Sequence, residues 1–460
     1  MSHEVVIIGG GLAGSEAAWQ AANAGASVTL YEMRPVVPTP VHQTGNLAEL
    51  VCSNSLKSNL LTNAAGLLKE EMRRLNSIIM TAAESASVPA GEALAVDREL
   101  FAAAITERLE SHPNIRLVRQ EAVSIDESRV HIVATGPLTS DTLAADIARL
   151  TGTSQLSFYD AVAPTIDAST IDREKVFIQS RYDKGDAAYI NCPFNREQYE
   201  AFYQALLGAE LAPLHDHEAR VPYFEGCLPI EVLASRGPKT LSFGPMKPVG
   251  LVDPNTGRRP WAALQLRQEN LAATLYSMVG FQTRMKWGEQ KRVFRMIPGL
   301  ENAEFVRYGV IHRNTYIQSP KLLNDALQMR EFPNVFFAGQ ITGVEGYVES
   351  AASGILAGRN AARLTLGQPL ITLPDTTMLG ALVSYVAHYD GKDFQPMNSN
   401  WGIVPPLEER IRDKKEKVRQ MAERGLAALS TVAGLDLIIP PAPPAPIEEA
   451  AEEPVTSGRA

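Results

Sequence analysis

The N-terminal segment alternates apolar runs with a stretch of small residues. Residues 4–8 form a continuous apolar run that ends in glycines, as a strand buried in a parallel sheet does. Residues 13–24 are small and favour a helix, Gly25 marks the end of that helix, and residues 27–32 form a second apolar run. The pattern predicts a strand–helix–strand unit of about 30 residues, the size of a dinucleotide-binding unit.

Further along the chain, the pattern predicts that a second region interrupts this nucleotide-binding domain. Helices are predicted around residues 65–75 and 97–109, and a strand is predicted at 130–138 that breaks at Thr135-Gly136-Pro137. From about residue 160 onwards, strand-like runs and Pro/Gly turns indicate a β-rich insertion with few helices. Residues 332–347 return to a buried strand that ends in glycine and leads into a long helix. The first domain is therefore predicted to resume after the insertion.

The glycine fingerprint between the first strand and helix carries the clearest chemistry. In GGGLAGSEAA, Gly9 allows a tight turn, Gly11 allows the backbone to approach a pyrophosphate, and Gly14 allows close helix–strand packing. The helix N-terminus offers N–H groups and partial positive charge to a phosphate, and Glu32 is placed to accept hydrogen bonds from the adenosine ribose. The predicted cofactor-binding residues are Gly9, Gly10, Gly11, Leu12, Ala13, Gly14, Glu32 and Gly339.

A distant second element favours FAD over NAD. Residues 334–343 form a strand with Gly339 at its end, and the helix after Glu349 is placed to stabilise negative charge on a reduced flavin. A second complete GxGxxG is absent, so a nicotinamide reductant is expected to bind only transiently.

The predicted fold class is therefore α/β. It is an FAD-binding, Rossmann-like nucleotide fold of the glutathione-reductase type, split by an inserted smaller α+β domain. The predicted domain limits are 1–160 and 319–440 for the two parts of the FAD domain, 161–318 for the inserted substrate/RNA domain, and 441–460 for a disordered acidic tail.

Charge and hydropathy narrow the class of protein. The net charge of −9 argues against a generic nucleic-acid binder, although residues 284–295 and 410–419 form local basic segments. Each segment is either a solvated helix face or a site for phosphates. No apolar run approaches the length of about 18 residues that spans a bilayer, and the N-terminus lacks signal-peptide features. A cytoplasmic protein without a membrane partner is expected.

The three cysteines are Cys52, Cys192 and Cys227. They cannot form a disulfide framework, none belongs to a CxxC pair, and no metal site is predicted. In a reducing compartment each thiol is either core filling or a reagent.

Several longer phrases carry a resemblance to a known family. They are GGGLAGSEAA, VCSNSLKS, YFEGCLPIE, GPMKPVGL, GVIHRNTYI and FFAGQITGVEGYVES. In these phrases the chain resembles the folate- and FAD-dependent tRNA (uracil-5-)-methyltransferases of bacteria, over nearly its whole length up to about residue 440. The resemblance implies transfer of the methylene of 5,10-methylenetetrahydrofolate to C5 of the T-loop uridine U54, with reduction to 5-methyluridine. FAD is the implied carrier and NAD(P)H the implied source of electrons; the T arm of tRNA is the implied partner, and no stable protein partner is predicted.

The resemblance also assigns catalytic roles. It places the nucleophile that adds to uracil C6 at Cys227, because C5 of uracil reacts only after such an addition. Cys52 matches a second functional cysteine near the flavin, which acts either in proton removal or in protecting the site. Tyr347 is a further candidate from its place beside the flavin, where it either stacks on an aromatic ligand or serves as a packing residue. Cys192 matches no role and is predicted to be core. Other candidates are His312 in the site, and Lys247, Arg313 or Lys321 for the glutamate tail of the folate.

Three alternatives remain at the level of sequence. A related FAD-containing enzyme modifies the wobble uridine of tRNA, but that family is longer and carries a helical C-terminal domain. A small-molecule flavin oxidoreductase acting on thiols is disfavoured by the missing CxxC and NAD(P) domain. A non-catalytic flavin-binding RNA chaperone requires neither Cys227 nor folate.

Overall fold

A computed structural model describes residues 3–152, 156–183, 187–213 and 228–438. The strands are β1 (Glu4–Ile8), β2 (Ser27–Tyr31), β3 (Ser55–Ser58), β4 (Ser87–Val88), β5 (Ala93–Val96), β6 (Ile115–Val118), β7 (Val130–Val133), β8 (Leu156–Ala161), β9 (Thr165–Asp167), β10 (Phe177–Ile178), β11 (Tyr189–Phe194), β12 (Ala262–Gln268), β13 (Leu275–Met278), β14 (Phe305–Arg307), β15 (Ile311–Tyr316) and β16 (Val335–Phe337). The helices are α1 (Leu12–Asn23), α2 (Ala64–Arg74), α3 (Ile78–Ser85), α4 (Arg98–Glu110), α5 (Asp141–Thr151), α6 (Arg196–Leu207), α7 (Ile230–Ser235), α8 (Thr240–Phe243), α9 (Trp287–Phe294), α10 (Ser319–Leu322), α11 (Tyr347–Thr365), α12 (Met378–His388) and α13 (Lys414–Ser430).

A five-stranded parallel sheet forms the centre of the nucleotide-binding domain. Its strand order is β16-β7-β1-β2-β6, so the apolar run at residues 4–8 lies in the middle, buried by neighbours on both sides. Helices α1 and α11 pack closely together. They can do so because α11 has glycines at 354 and 358, where a β-carbon would overlap the backbone of α1. The parallel sheet and its flanking helices confirm the predicted α/β fold class.

The inserted region has its own antiparallel sheet and its own core. The six strands run in the order β10-β11-β12-β13-β9-β14, and Cys192 and Phe202 belong to the separate apolar cluster beneath them. The sequence pattern predicted few helices here, but α6, α7 and α9 are present. Helix α6 begins at a capping box in which Asn195 and Gln198 exchange side-chain and backbone hydrogen bonds.

Two antiparallel strands join the inserted region to the nucleotide-binding domain. Strand β8 pairs with β15 along its whole length, from Leu156 opposite Tyr316 to Ala161 opposite Ile311. The chain therefore leaves the first domain and returns to it at neighbouring points. We propose residues 160 and 318, which lie at these crossings, as the limits of the inserted domain. The tail predicted at 441–460 lies outside the described residues.

One helix begins earlier than predicted. Helix α11 begins at Tyr347, two residues before Glu349, so both side chains belong to its first turn. Strand β7 ends at Val133, just before the break predicted at residues 135–137.

No helix within the described ranges is long and apolar enough to cross a bilayer.

Candidate active site

The glycine turn after β1 faces an open cleft. Gly9 adopts φ +105°, and a β-carbon there would lie 2.5 Å from the Ala134 carbonyl oxygen, so the turn requires glycine. A β-carbon on Gly14 would overlap the Gly9 carbonyl, which accounts for the close packing of α1 on β1. At Gly11, by contrast, a β-carbon would meet no atom within 4 Å. Of these three glycines, Gly11 is therefore the one that presents bare backbone to the cleft, where a phosphate group needs to approach.

Glu32 lines one end of this cleft as a buried carboxylate. It accepts hydrogen bonds from the Gly10 backbone N–H (2.8 Å), the Arg34 backbone N–H (2.9 Å) and Arg34 Nε (2.8 Å). Burial opposes ionisation, but the hydrogen bonds and charge of Arg34 outweigh it, so the pKa of Glu32 lies below its ordinary value. The ionised carboxylate keeps a further lone pair with which to accept a ribose hydroxyl.

The cleft extends from Glu32 to Gly339 and Gln340, which follow the end of β16. Leu12 and Ala13 of the first turn of α1 line it, as do Tyr347 and Ser350 of the first turn of α11. Two helix N-termini therefore face the same space, which suits a ligand with two anionic portions. Gly339, with φ +81°, brings the end of β16 against α1, since a β-carbon there would lie 2.8 Å from the Ala13 β-carbon. The lining fits a flavin dinucleotide.

Tyr347, which lines the cleft, contacts the loop that carries Cys52. Its hydroxyl accepts hydrogen bonds from the backbone N–H groups of Cys52 (2.7 Å) and Ser53 (3.1 Å). Burial, together with the nearby Cys52, raises the pKa of Tyr347, so the phenol stays protonated. Cys52 itself is partly buried and belongs to no disulfide. Two of the three predicted catalytic residues, Cys52 and Tyr347, are thus in contact through the backbone.

Replacing Tyr347 with phenylalanine is expected to loosen the loop around Cys52 while leaving the cleft in place. The change leaves two amides without their acceptor, at a cost of about 1–3 kcal/mol in the free energy of unfolding. Hydrogen exchange of residues 50–54 should accelerate in this variant. Tyr385→Phe is the matched control, because its hydroxyl donates to the Gln395 carbonyl (2.8 Å) away from the site. Equal exchange at residues 50–54 in both variants would refute the role of the Tyr347 hydroxyl.

A buried charge cluster fixes the strand that follows the Cys52 loop. Glu349 Oε1 accepts from Lys57 Nζ (2.7 Å) and from the backbone N–H and hydroxyl of Ser399 (3.0 and 2.6 Å). The fully buried Lys69 donates to the carbonyls of residues 56, 57 and 58, and burial lowers the pKa of Lys69 to about 7. These contacts hold β3 against the first turn of α11.

Three arginines that the sequence did not single out surround the same loop. They are Arg98 on α4, Arg267 on β12 and Arg307 on β14, and each donates a hydrogen bond to a residue between 50 and 54. Of the three, only Arg98 lies in a segment whose structure the local sequence predicts, because it follows the helix-capping Asp97 in VDREL. The other two come from the inserted sheet, so sequence proximity gives no indication of them.

The remaining predicted residues are placed as follows. Cys192 is fully buried in the inserted core, where burial raises the pKa of its thiol, as expected of a packing residue. Cys227 lies outside the described residues, as do the side chains of His312 and Arg313. Lys247 and Lys321 are not among the described residues that line the cleft.

The two basic segments differ in how far their charges are neutralised. In residues 284–295 most cations form ion pairs: Lys286 with Glu210 (2.7 Å), Arg292 with Glu289 (2.6 Å), Arg295 with Glu304 (2.8 Å) and Lys291 with Glu304 (3.9 Å). In residues 410–419 only Arg419 is paired within the described chain, with Glu416 and Glu423. The exposed cations of this second segment are Arg410, Arg412, Lys414, Lys415 and Lys417.

Known proteins match this chain over most of its length. The family described as "Glucose inhibited division protein A" matches residues 4–369. A solved structure of Aquifex aeolicus GidA superposes with a TM-score of 0.66 at 17% identity, covering 93% of this chain and 75% of that one, which shows a shared fold.

Two relatives share the name "Methylenetetrahydrofolate--tRNA-(uracil-5-)-methyltransferase TrmFO". The protein from Enterococcus faecalis is 61% identical over 93% of this chain and 98% of its own length. The protein from Pelotomaculum thermopropionicum is 60% identical over 92% of this chain and 97% of its own length. The family resemblance predicted from the sequence is therefore confirmed, and the chain belongs to the TrmFO family of tRNA (uracil-5-)-methyltransferases.

Proposed function

We propose that this enzyme transfers the methylene group of 5,10-methylenetetrahydrofolate to C5 of the T-loop uridine U54 of tRNA, forming 5-methyluridine. The observation that carries the proposal is the seating of Cys52 against Tyr347 at one end of a dinucleotide cleft. Such an arrangement brings a thiol next to the place where a flavin ring fits. NAD(P)H is the proposed reductant, and the cytoplasm, where tRNA is modified, is the proposed location.

Different residues of the chain suit different parts of FAD. Gly11 and the N-terminus of α1 suit the pyrophosphate, and Glu32 suits the ribose of the adenosine. The N-terminus of α11, which begins at Tyr347, suits the anionic edge of a reduced flavin. When bound, FAD supplies the electrons and carries the one-carbon unit, so the protein contributes positioning and electrostatics.

The proposed nucleophile is Cys227. Addition of its thiolate to C6 of uracil forms an S–C6 bond and moves the C5–C6 π electrons onto C5, which then attacks the incoming carbon. After transfer, a base must remove the C5 proton, and Cys52 is the proposed group. Loss of that proton expels the carrier of the one-carbon unit and leaves an exocyclic methylene at C5. Addition of a hydride to this methylene, with electrons drawn ultimately from NAD(P)H, gives the methyl group as the thiolate leaves C6 and the C5–C6 double bond re-forms.

A single incubation tests this function. The protein is mixed with labelled methylenetetrahydrofolate, NADPH and an unmodified tRNA transcript, and the nucleosides are analysed for labelled 5-methyluridine. We expect label at the T-loop uridine and none in a transcript in which that position is cytidine. Absence of label in 5-methyluridine would overturn the proposal, and label at the wobble position would favour the related wobble-uridine chemistry.

Residues 410–419 are the proposed site of phosphate binding, because their cations are exposed and mostly without ion-pair partners in the described chain. Replacing Lys414, Lys415 and Lys417 together with glutamine is expected to weaken tRNA binding about tenfold or more at moderate salt. The slope of log affinity against log salt should fall by roughly one for each phosphate that the variant no longer neutralises.

A matched triple in the other basic segment serves as the control for this prediction. Lys286, Arg292 and Arg295 are already neutralised by neighbouring glutamates, so their replacement with glutamine is expected to change the salt slope little. A larger decrease of the slope in the control triple than in the first triple would contradict the assignment.

A further inference from the structure

The loop that carries Cys52 is held by four hydrogen bonds from guanidinium groups. The donors belong to three separate elements, two of them in the inserted sheet and one in the nucleotide-binding domain. The bonds are Arg98 Nη1 to the Leu50 carbonyl (2.9 Å), Arg307 Nη1 to the Val51 carbonyl (3.0 Å), Arg267 Nη2 to the Ser53 hydroxyl (2.6 Å) and Arg267 Nε to Asn54 Oδ1 (2.8 Å). Every described residue that flanks Cys52 within two positions therefore accepts from an arginine.

Asn54 makes the loop a bridge between the two domains. Its side chain is fully buried and donates to the Val96 carbonyl (3.0 Å) on β5 and to the Gln268 carbonyl (2.8 Å) on β12. The thiol therefore occupies a fixed position only when the inserted sheet is docked against the nucleotide-binding domain.

The charges around the thiol do not balance. Arg98, Arg267 and Arg307 carry three positive charges, since arginine stays protonated even where burial lowers its pKa. Two described carboxylates act on these arginines: Glu269, which pairs with Arg98 Nε at 2.5 Å and is 5% exposed, and Glu49, which faces Arg307 and is itself paired with Arg34 at 3.2 Å. Tyr347, which faces the loop from α11, is a neutral phenol. The surroundings are thus net positive. Arg267 is buried, whereas Arg98, Arg307 and Cys52 are partly buried, and opposite charges attract more strongly there than in open water.

We propose that Arg98, Arg267 and Arg307 are positioning residues that hold Cys52 as a thiolate beside the flavin end of the cleft. The role of that thiolate in removing the C5 proton rests on the proposed function. The formation of the thiolate does not depend on the proposed function. Ionisation releases the thiol proton to solvent and leaves the negative charge on Sγ, compensated by the guanidinium groups. A thiolate at this position is a base as well as a nucleophile.

The test is the pH profile of Cys52 alkylation in the full-length, FAD-loaded protein. The rate of iodoacetamide labelling is followed on the peptide that contains Cys52, with the Cys192 peptide as the buried reference. In the unaltered protein, we expect labelling with a midpoint clearly below the value of about 8.5 of an unperturbed thiol. Arg267→Met is expected to raise that midpoint by about one pH unit or more, and so to slow labelling near neutral pH about tenfold.

Two further variants separate charge from structure. Arg267→Lys keeps a positive charge and should restore much of the low midpoint. Arg181→Met removes another arginine of the inserted domain. Among the described residues, Arg181 donates to the Lys247 carbonyl and to Gln265 and not to the Cys52 loop, so the alkylation midpoint of Cys52 should stay unchanged. Where FAD shields the thiol from the reagent, the ultraviolet absorbance of the thiolate, measured against a Cys52→Ser variant, gives the same midpoint.

An ordinary midpoint in the unaltered protein would overturn the proposal, as would equal shifts in Arg267→Met and Arg181→Met. The assay uses neither folate nor tRNA. A preserved shift combined with no labelled 5-methyluridine would therefore refute the proposed function and leave this inference standing.

Discussion

Replacing Cys227 with alanine is expected to lower the rate of 5-methyluridine formation in tRNA by a factor of about a thousand or more. The physical reason is the low nucleophilicity of uracil C5, which depends on addition of a thiolate at C6. Because the change removes only one sulfur atom, FAD retention should be unaffected. The measurement is the labelled-folate incubation, with flavin content determined on the same sample.

Cys192→Ala supplies the matched comparison for this loss. Cys192 is fully buried in the inserted core, so its truncation should cost about 1 kcal/mol of stability and leave methyl transfer intact. A Cys227→Ala protein that retains full activity would show that another group adds to C6.

Gly11→Ala is expected to produce a folded protein that no longer retains FAD. Alanine adopts the backbone conformation of Gly11 (φ −73°) without strain, and no protein atom lies within 4 Å of the added carbon. The methyl group instead occupies the space in which the pyrophosphate meets the backbone. We expect FAD affinity to fall by about 100-fold or more, roughly 3 kcal/mol. The measurement is flavin absorbance after gel filtration.

The melting temperature of the FAD-free protein distinguishes this effect from misfolding. It should stay the same or rise slightly in Gly11→Ala, because alanine restricts the unfolded chain more than glycine does. Gly288→Ala is the control, since Gly288 also has open space at its β-carbon but is exposed on α9. Unchanged flavin content in Gly11→Ala would contradict the placement of the pyrophosphate.

The predictable part of the site is the part whose residues are close in sequence. The roles of Gly9, Gly11 and Gly14 follow from one turn between one strand and one helix, and spacing alone reveals them. Glu32 follows for the same reason, because the second strand lies beside the first. The hydrophobic pattern likewise predicted four of the five strands of the parallel sheet. It did not predict β6, where Arg116 interrupts the apolar run.

The unpredictable part depends on contacts between distant segments. Arg267 and Arg307 reach the Cys52 loop only because the inserted sheet docks there, and neither residue belongs to a recognisable motif. The difference between the two basic segments also depends on distant residues. Glu210 and Glu304 form ion pairs with cations of residues 284–295, although neither glutamate belongs to that segment. Helix α6 went unpredicted because strand-like runs precede it and the Pro/Gly turns of residues 237–257 follow it, which favoured a β-rich prediction for the whole insertion.

The order of strands in the central sheet has a consequence for synthesis of the chain. Strand β7 is complete at Val133, but its outer neighbour β16 is made only after the ribosome has passed residues 134–334. During that interval the nascent sheet exposes an unpaired edge, together with the face of α1 that α11 later covers. Such long-range pairing slows folding and leaves a partly built protein prone to aggregation. Folding of this enzyme in the cell is therefore expected to depend on chaperones or slow translation more than its native stability suggests.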